Sequence, residues 1–398
     1  MRILFCNYEY PPLGGGGGVV MAALARHLAR RHHVTVLTSQ GPGLAARDDD
    51  AGVEVLRVPV FFRKDLAVAN FPSMLAYLPT GFVRGMGLRR SHRFDVVNTH
   101  FAVPTGPLGH ALARLYRVPN VLSVHGGDLF DPSKASSPHR HGIFRAAVRS
   151  MLRSADAVVG QSRDTVRHVE SLYGVKRQVE LIPLGIERPQ LVRDPARASF
   201  GIPDEAFTMI TIGRLVARKA TQQLLAMMRD PRLSTAHLLV VGDGPEAPEL
   251  RRISQDPAIR DRVHWLGAVP EEIKQAALQV SDLFVSASQH EGFGLVFLEA
   301  MAASLPVVCY DRGGQVDFLA TGQTGTVVAL NDQHAFTQAI VDLQHDRDLR
   351  GRLGRENKTR VEQFFIDTCA TRYEEVFTEA IERAGRVRSA VLRTSSTN

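Results

Sequence analysis

"DLFVSASQHEGFGLVFLEAMAASLPVVCY", residues 282–310, decides the fold. It opens on a short apolar run, "DLFVSAS", and closes on another, "PVVCY". Between them the run from Leu295 to Ala303 is apolar and helix-forming, and Pro306 stops it. Strand, helix and strand in that order build a parallel sheet. Glycine disfavours helix and strand interiors alike, so Gly292 and Gly294 place Glu291 in the loop before the helix. Glu299 then lies on the second turn of a helix whose N-terminus opens beside Glu291. Unpaired backbone N–H groups carry partial positive charge there and suit an anion, phosphate above all. Two acids beside a phosphate site point to hydroxyls as well, those of a sugar or a ribose.

The alternation extends in both directions. "RILFCN", "VTVLTS", "VEVLRV", "FDVVNTH", "NVLSVH", "DAVVGQS" and "VELIPL" read as strands in the first half of the chain. "FTMITIGRL", "HLLVVG", "VHWLG" and "TGTVVAL" join the two quoted above in the second. Most are continuously apolar, as strands buried on both faces are. Amphipathic stretches such as "VVMAALARHLARR" and "EEIKQAALQ" lie between them, so helices cover both faces of each sheet. A length of 398 residues is too great for one ordinary core. The break falls in "PLGIERPQLVRDPARASFGIP", which carries four prolines and little periodicity. The expected organisation is an N-terminal domain over 1–190, a linker over 191–204 and a second domain over 205–370. A C-terminal helix over 371–398 would return to the first domain and end in a disordered tail.

A hydrophobic content of 44% and a charged content of 22% are those of a globular protein. No apolar run reaches the roughly 20 residues that span a bilayer, and the start "MRILFCNYEYPP" is too short for a secretory signal. Three scattered cysteines give neither a metal spacing nor a disulfide framework. These features predict a cytoplasmic protein. Its net charge of +7 is uneven. Residues 1–190 hold 24 Lys and Arg against 14 Asp and Glu, a balance of +10, and the remainder is at −3. The first half therefore either faces something acidic or is simply well solvated. The arginines are dispersed and no nucleic-acid motif appears, which argues against a nucleic-acid partner.

Four further stretches carry chemistry. Gly14 to Gly18 follow the first strand and open a helix, so the backbone can approach a ligand and present N–H groups to an anion. The alternative is a loop without a ligand. In "IGRLVARKA", Arg214 and Lys219 stand at the carboxyl edge of a parallel sheet, where ligands bind, and suit a pyrophosphate. Ordinary surface cations are the alternative. In "VVGDGPEAPEL", Gly242, Gly244 and Ala247 match G-x-G-x-x-A, a weak dinucleotide signal. Asp261, the acid at the right distance, precedes its strand rather than ending it, and Pro245 removes an N–H. In "SVHGGDLF", His125 ends a strand beside Asp128, where an imidazole orients hydroxyls or shares proton traffic. His100 ends another strand.

Taken together these stretches resemble a retaining glycosyltransferase of the GT-B fold, family 4 type. The resemblance rests on the glycine loop, "VHGGD", "GRLVARKA", "VVGDGPE", "VHWLGAVP" and "HEGFGLVFLEAMA", the last being the E-x7-E motif. It implies an α/β chain of two doubly wound, Rossmann-like domains facing across a cleft. It also implies a nucleotide diphosphate sugar as donor, retention of anomeric configuration and no bound metal or other cofactor. Glu299 would hold the ribose hydroxyls. Arg214 and Lys219 would clamp the pyrophosphate, with Gly15, Gly16 and Gly17 closing on it. Glu291, Gly292, Phe293, Gly294 and Leu295 would grip the donor sugar and β-phosphate. His125 would sit against the sugar, the base would rest near Leu266 to Val269, mostly on backbone groups, and Gly242 and Gly267 would be among the donor-binding residues.

The departures are Asp317, where the family often has Glu, and "LGIERPQ", which lacks the usual Asp. The acceptor would be a saccharide or a lipid-linked molecule. Residues 66–93, apolar and then arginine-rich, would hold the chain against an anionic membrane surface on its inner face. The competing expectations are an NAD-dependent oxidoreductase built on "GDGPEA" and a nucleotide-sugar-binding protein without turnover.

Overall fold

The computed structural model describes residues 1–63, 70–132 and 137–395. The chain forms two compact units. One holds Met1–Ile186 and the chain from Ile366, and the other holds Glu187–Phe365.

The first unit is built on strands β1 (Arg2–Cys6), β2 (His33–Ser39), β3 (Arg47–Asp50), β4 (Val53–Val58), β5 (Val96–His100), β6 (Asn120–Val124), β7 (Ala157–Gly160) and β8 (Glu180–Leu181). Their order across the sheet is β3-β4-β2-β1-β5-β6-β7-β8, parallel except for the β3–β4 hairpin. Strand β3, "RDDD", is a polar edge strand that the search for apolar runs misses. Its turn places Ala51 and Gly52 at φ 53° and 86°. Among the helices, Phe71–Leu88 starts at Asn70, whose side chain accepts the Ser73 N–H at 2.9 Å. Gly81 and Gly85 let it lie close on the helix Gly106–Tyr116, for a Cβ at either would stand within 2.5 Å of Leu108 or Leu112.

The second unit holds β9 (Thr208–Ile212), β10 (His237–Val241), β11 (Val263–Gly267), β12 (Leu283–Ser286), β13 (Val307–Tyr310) and β14 (Gly325–Val328). All are parallel, in the order β11-β10-β9-β12-β13-β14. In each sheet the first strand has neighbours that lead away in opposite directions: β2 and β5 flank β1, and β10 and β12 flank β9. These are the switch points where a crevice opens at the carboxyl ends of the strands.

The chain crosses between units earlier than its prolines suggest. It leaves after Ile186 and returns at Ile366, whose N–H donates to Ile186 O at 2.9 Å. The segment 191–204, expected as a linker, belongs to the second unit. Arg197 fastens it there, donating to Val280 O at 2.9 Å, Ala206 O at 2.8 Å and Asp282 Oδ2 at 2.8 Å. The last helix runs over Ile366–Ser395, so it starts before 371 and takes in part of the expected tail. Residues 396–398 of that tail lie outside the described residues. Ile366, Cys369, Ala370, Tyr373, Val376, Phe377 and Ala380 recur with helical spacing and enter the core with Ile3, Phe5 and Val121.

Candidate active site

Chemistry gathers at the switch point of the second sheet. Strand β9 ends at Ile212 and feeds Gly213, Arg214 and a 3-10 turn over Ala217–Lys219. Strand β12 ends at Ser286 and feeds the loop to Glu291. Because β9 and β12 are neighbours, the two loops meet. Lys219 Nζ donates to Glu291 Oε1, and Arg218 Nη1 reaches Oε2 at 3.1 Å and also donates to His290 O. Glu291 is buried. Burial alone would raise its pKa, but the charges of Lys219 and Arg218 outweigh it and hold the carboxyl at about 2. Arg214 stands exposed, with no acid paired to it among the described residues. The cation missed in sequence is Arg218; two adjacent cations in "VARKA" are the signal for it.

Glu291 is also fixed through its backbone. Its N–H donates to Arg312 O, and its carbonyl accepts the Gly314 N–H at 2.8 Å. Gly313, at φ 109°, permits this approach, since a Cβ there would lie 2.0 Å from Glu291 O. Gly294, at φ 97°, turns the chain into the helix Leu295–Ala302, which has no side-chain cap at its N-terminus. Phe293 is buried against Phe318 and Phe364, with centroids 5.2 and 6.5 Å away, so its ring anchors the loop rather than facing a ligand.

Glu299 lies on that helix. Its Oε1 meets Lys274 Nζ at 3.0 Å, and its Oε2 is buried without a partner. Burial raises its pKa, and Lys274 opposes the rise. Lys274, on the helix Glu271–Val280, also pairs with Glu271 at 2.9 Å. Gln315, beside Gly294, donates to Tyr310 O and Arg312 O, while its Oε1 is likewise buried without a partner.

The glycines of "GDGPEA" serve packing. A Cβ on Gly242 would lie 2.0 Å from Gly213 O, and one on Gly244 would lie 2.3 Å from Leu215 O. They let the ends of β9 and β10 close on each other. Asp261 sits in the turn Arg260–Arg262 before β11, with its side chain 83% exposed. It is not the acid at a strand end that a dinucleotide ribose needs. Gly267, at φ 72°, has open space where a Cβ would be.

In the first unit, Gly15 caps the helix Gly16–Ala29 and donates its N–H to Glu9 Oε2 at 3.3 Å. A Cβ on Gly14 would stand 2.2 Å from that same oxygen, so the loop wraps an acid of its own chain. Gly16 is exposed, and Gly17 packs on Phe101, a Cβ there meeting Cζ at 2.6 Å. His125 lies between protein partners on both ring nitrogens: Nε2 meets His100 Nδ1 at 2.9 Å, and Nδ1 meets Gln161 Oε1 at 3.2 Å. His100 Nε2 meets Asn98 Oδ1 at 2.7 Å. Burial pushes His125 down to about 4 and His100 well below the usual range, so both rings are neutral at pH 7. A ring nitrogen of His125 reaches a ligand only by exchanging a protein partner. Asp128 accepts the N–H groups of Ala102 and His125 at 2.7 and 2.9 Å and fixes the loop. Its own pKa is raised to about 6 by burial. Asn98 and Gln161 were not foreseen; a polar residue inside the apolar strand "VVNTH" is the signal for the first.

The chain is similar to known proteins along most of its length. Residues 14–188 match Glycosyltransferase Family 4, and residues 192–360 match Glycosyl transferases group 1. The chain is 28% identical over 361 residues to a GDP-mannose-dependent alpha-(1-6)-phosphatidylinositol monomannoside mannosyltransferase of Mycolicibacterium smegmatis, covering 86% of this chain and 89% of that protein. It is 28% identical over 375 residues to the D-inositol 3-phosphate glycosyltransferase of Streptomyces avermitilis, covering 87% and 77%. Among solved structures, sucrose-phosphate synthase from Thermosynechococcus elongatus superposes with a TM-score of 0.82 at 21% identity, over 96% of this chain and 99% of that one. The Anabaena protein HepE in complex with UDP does so with a TM-score of 0.75 at 18% identity, over 95% and 100%.

Proposed function

We propose that this chain, which carries both domains of the GT-B glycosyltransferases, moves a hexosyl group from a nucleoside diphosphate sugar to a hydroxyl of its acceptor with retention of configuration and without a bound metal. One observation carries the reading. A partly buried carboxylate, Glu299, stands on the helix that begins beside the Glu291–Lys219–Arg218 cluster. The carboxylate suits a ribose O–H, and the cations suit the diphosphate.

In the proposed reaction the sugar C1–O bond to the diphosphate breaks. A C1–O bond to the acceptor forms on the same face, and the acceptor's proton passes to a departing phosphate oxygen. Lys219 and Arg214 stabilise the charge growing on the leaving group, an effect that is largest in the transition state. The mycobacterial relative uses GDP-mannose by its name, and HepE binds UDP. A guanine or a uracil nucleotide are therefore the first donors to try.

A glycolipid or lipid-linked acceptor is supported by the outer face of the helix Phe71–Leu88. Phe71, Leu75, Val83 and Met86 are all exposed there, at helical spacing. Among the described residues no helix is long and apolar enough to cross a membrane, so such a hold would be peripheral.

The test is nucleotide release from UDP-, GDP- and ADP-sugars with a lipid or saccharide acceptor. The anomeric configuration of the product is read by NMR. One donor should be consumed with retention; an inverted product overturns the mechanism, and turnover of none of the three overturns the function.

A further inference from the structure

Lys274 lies among residues that the sequence motifs leave out. Its ammonium bridges two acids, Glu271 at 2.9 Å and Glu299 at 3.0 Å. The two are not equivalent. The Glu271 side chain is 67% exposed and has water to solvate it, whereas Glu299 is 21% exposed and Lys274 itself 16%. Here Lys274 takes Oε1 and leaves Oε2 buried without a partner. An unmet buried acceptor costs free energy and calls for a specific explanation.

We propose that Lys274 is a positioning residue: it holds Glu299 ionised and fixes the rotation of the carboxylate that meets a ribose hydroxyl of the nucleotide. This rests on the donor-site reading of Glu299 above. Lys274 acts in two ways. It fixes the rotation of the carboxylate by binding one oxygen, and it supplies the charge that keeps a buried acid ionised. The charged groups acting on Glu299 are Lys274 and Glu271; the helix Leu295–Ala302 carries no other charge. With Lys274 gone, burial and Glu271 would both favour the protonated acid.

Binding of UDP, GDP and ADP is to be measured by calorimetry between pH 6 and 8.5 on wild type, Lys274→Met, Lys274→Arg and Glu299→Gln. The ratio to wild type cancels the titration of the phosphates themselves. Lys274→Met should bind more weakly than wild type at pH 6, where burial and Glu271 favour the protonated acid, and recover as pH rises. Lys274→Arg should restore a flat ratio, and Glu299→Gln should stay weak at every pH. In steady-state assays Lys274→Met should raise the donor KM and leave kcat nearly unchanged. If Lys274→Met binds as wild type does at all pH values while Glu299→Gln is weakened, the positioning role is overturned and the donor site stands. If Glu299→Gln binds as wild type does, the donor-site reading itself fails.

Discussion

Lys219 and Glu291 are 72 positions apart, and their side chains form one ion pair at the meeting point of two strand ends. With Arg218 they make a buried carboxylate held by two cations. The arrangement assembles the cations before any ligand arrives, as the donor-site reading proposed above requires. It also ties stability to pH. Glu291 has a folded pKa of about 2 against an ordinary 4.5. A depressed acid contributes stability that is complete above its unfolded value and is lost as pH falls through the folded one. The window therefore runs from about pH 4.5 down to 2, and the contribution is on the order of 3 kcal/mol. Urea denaturation of wild type and Glu291→Gln should show a gap of that order at pH 7 that narrows by pH 3. An equal gap at both pH values overturns the pairing.

Arg214 and Lys219 should separate in a second experiment. Either change to Ala should lower kcat by roughly 10²–10³, the loss typical of one donor to a developing anion. Arg214 is exposed, so its removal should leave melting unchanged. Removing Lys219 deprives Glu291 of a partner and should lower Tm by about 2–4 °C per kcal/mol lost in a unit of this size. Near-normal kcat in both folded variants overturns the clamp. Equal Tm in both overturns the pair.

The glycines test packing against binding. Gly242→Ala brings a Cβ within 2.0 Å of Gly213 O at φ 128°. It should destabilise the second unit by about 3 kcal/mol or more, with binding lost through unfolding. Gly267→Ala meets nothing and carries only the left-handed penalty of about 1–2 kcal/mol. A folded Gly267→Ala that no longer binds nucleotide would mark that residue as a base contact. Gly242→Ala with wild-type stability would overturn the packing role.

The strands were legible because most are buried on both faces and read as unbroken apolar runs. Only β3, a polar hairpin edge, has no such run. The loop before Leu295 was legible because two glycines and an acid have few other uses there. What sequence could not show are partners brought together by the sheet. Arg218 reaches Glu291 across 73 positions, and Lys274 reaches Glu299 from another helix. In sequence His125 ends a strand as a ligand-facing residue does, yet His100 and Gln161 occupy its nitrogens from neighbouring strand ends, a register no local pattern encodes. The prolines of 183–203 suggested a linker, but one arginine, Arg197, stitches that segment to the second unit.

The last prediction concerns the acceptor side. The stretch 66–93 joins apolar residues to arginines; 66–69 lie outside the described residues, and the helix Phe71–Leu88 accounts for most of the rest. A helix that serves only the core buries its apolar stripe and shows a polar back. This one buries Tyr77, Gly81, Gly85 and Leu88, yet its opposite face leaves Phe71 53%, Leu75 52% and Val83 64% exposed. Arg84, Arg89, Arg90 and Arg93 are exposed at and beyond its C-terminal end, and none is paired with an acid among the described residues. An apolar stripe with cations at its end suits a bilayer interface, where side chains enter the head-group boundary and cations meet lipid phosphates. Each cation near an anionic surface contributes about 1 kcal/mol, and salt screens it. Wild type should co-sediment with vesicles containing phosphatidylglycerol at low salt, less at high salt, and little with pure phosphatidylcholine. Changing the four arginines to Ser should remove the salt-sensitive part. Changing Phe71, Leu75 and Val83 to Ser should weaken binding even at low salt. If wild type stays in solution with anionic vesicles at low salt, or if both variants sediment as it does, the stripe is not a membrane site and a soluble saccharide becomes the acceptor to test.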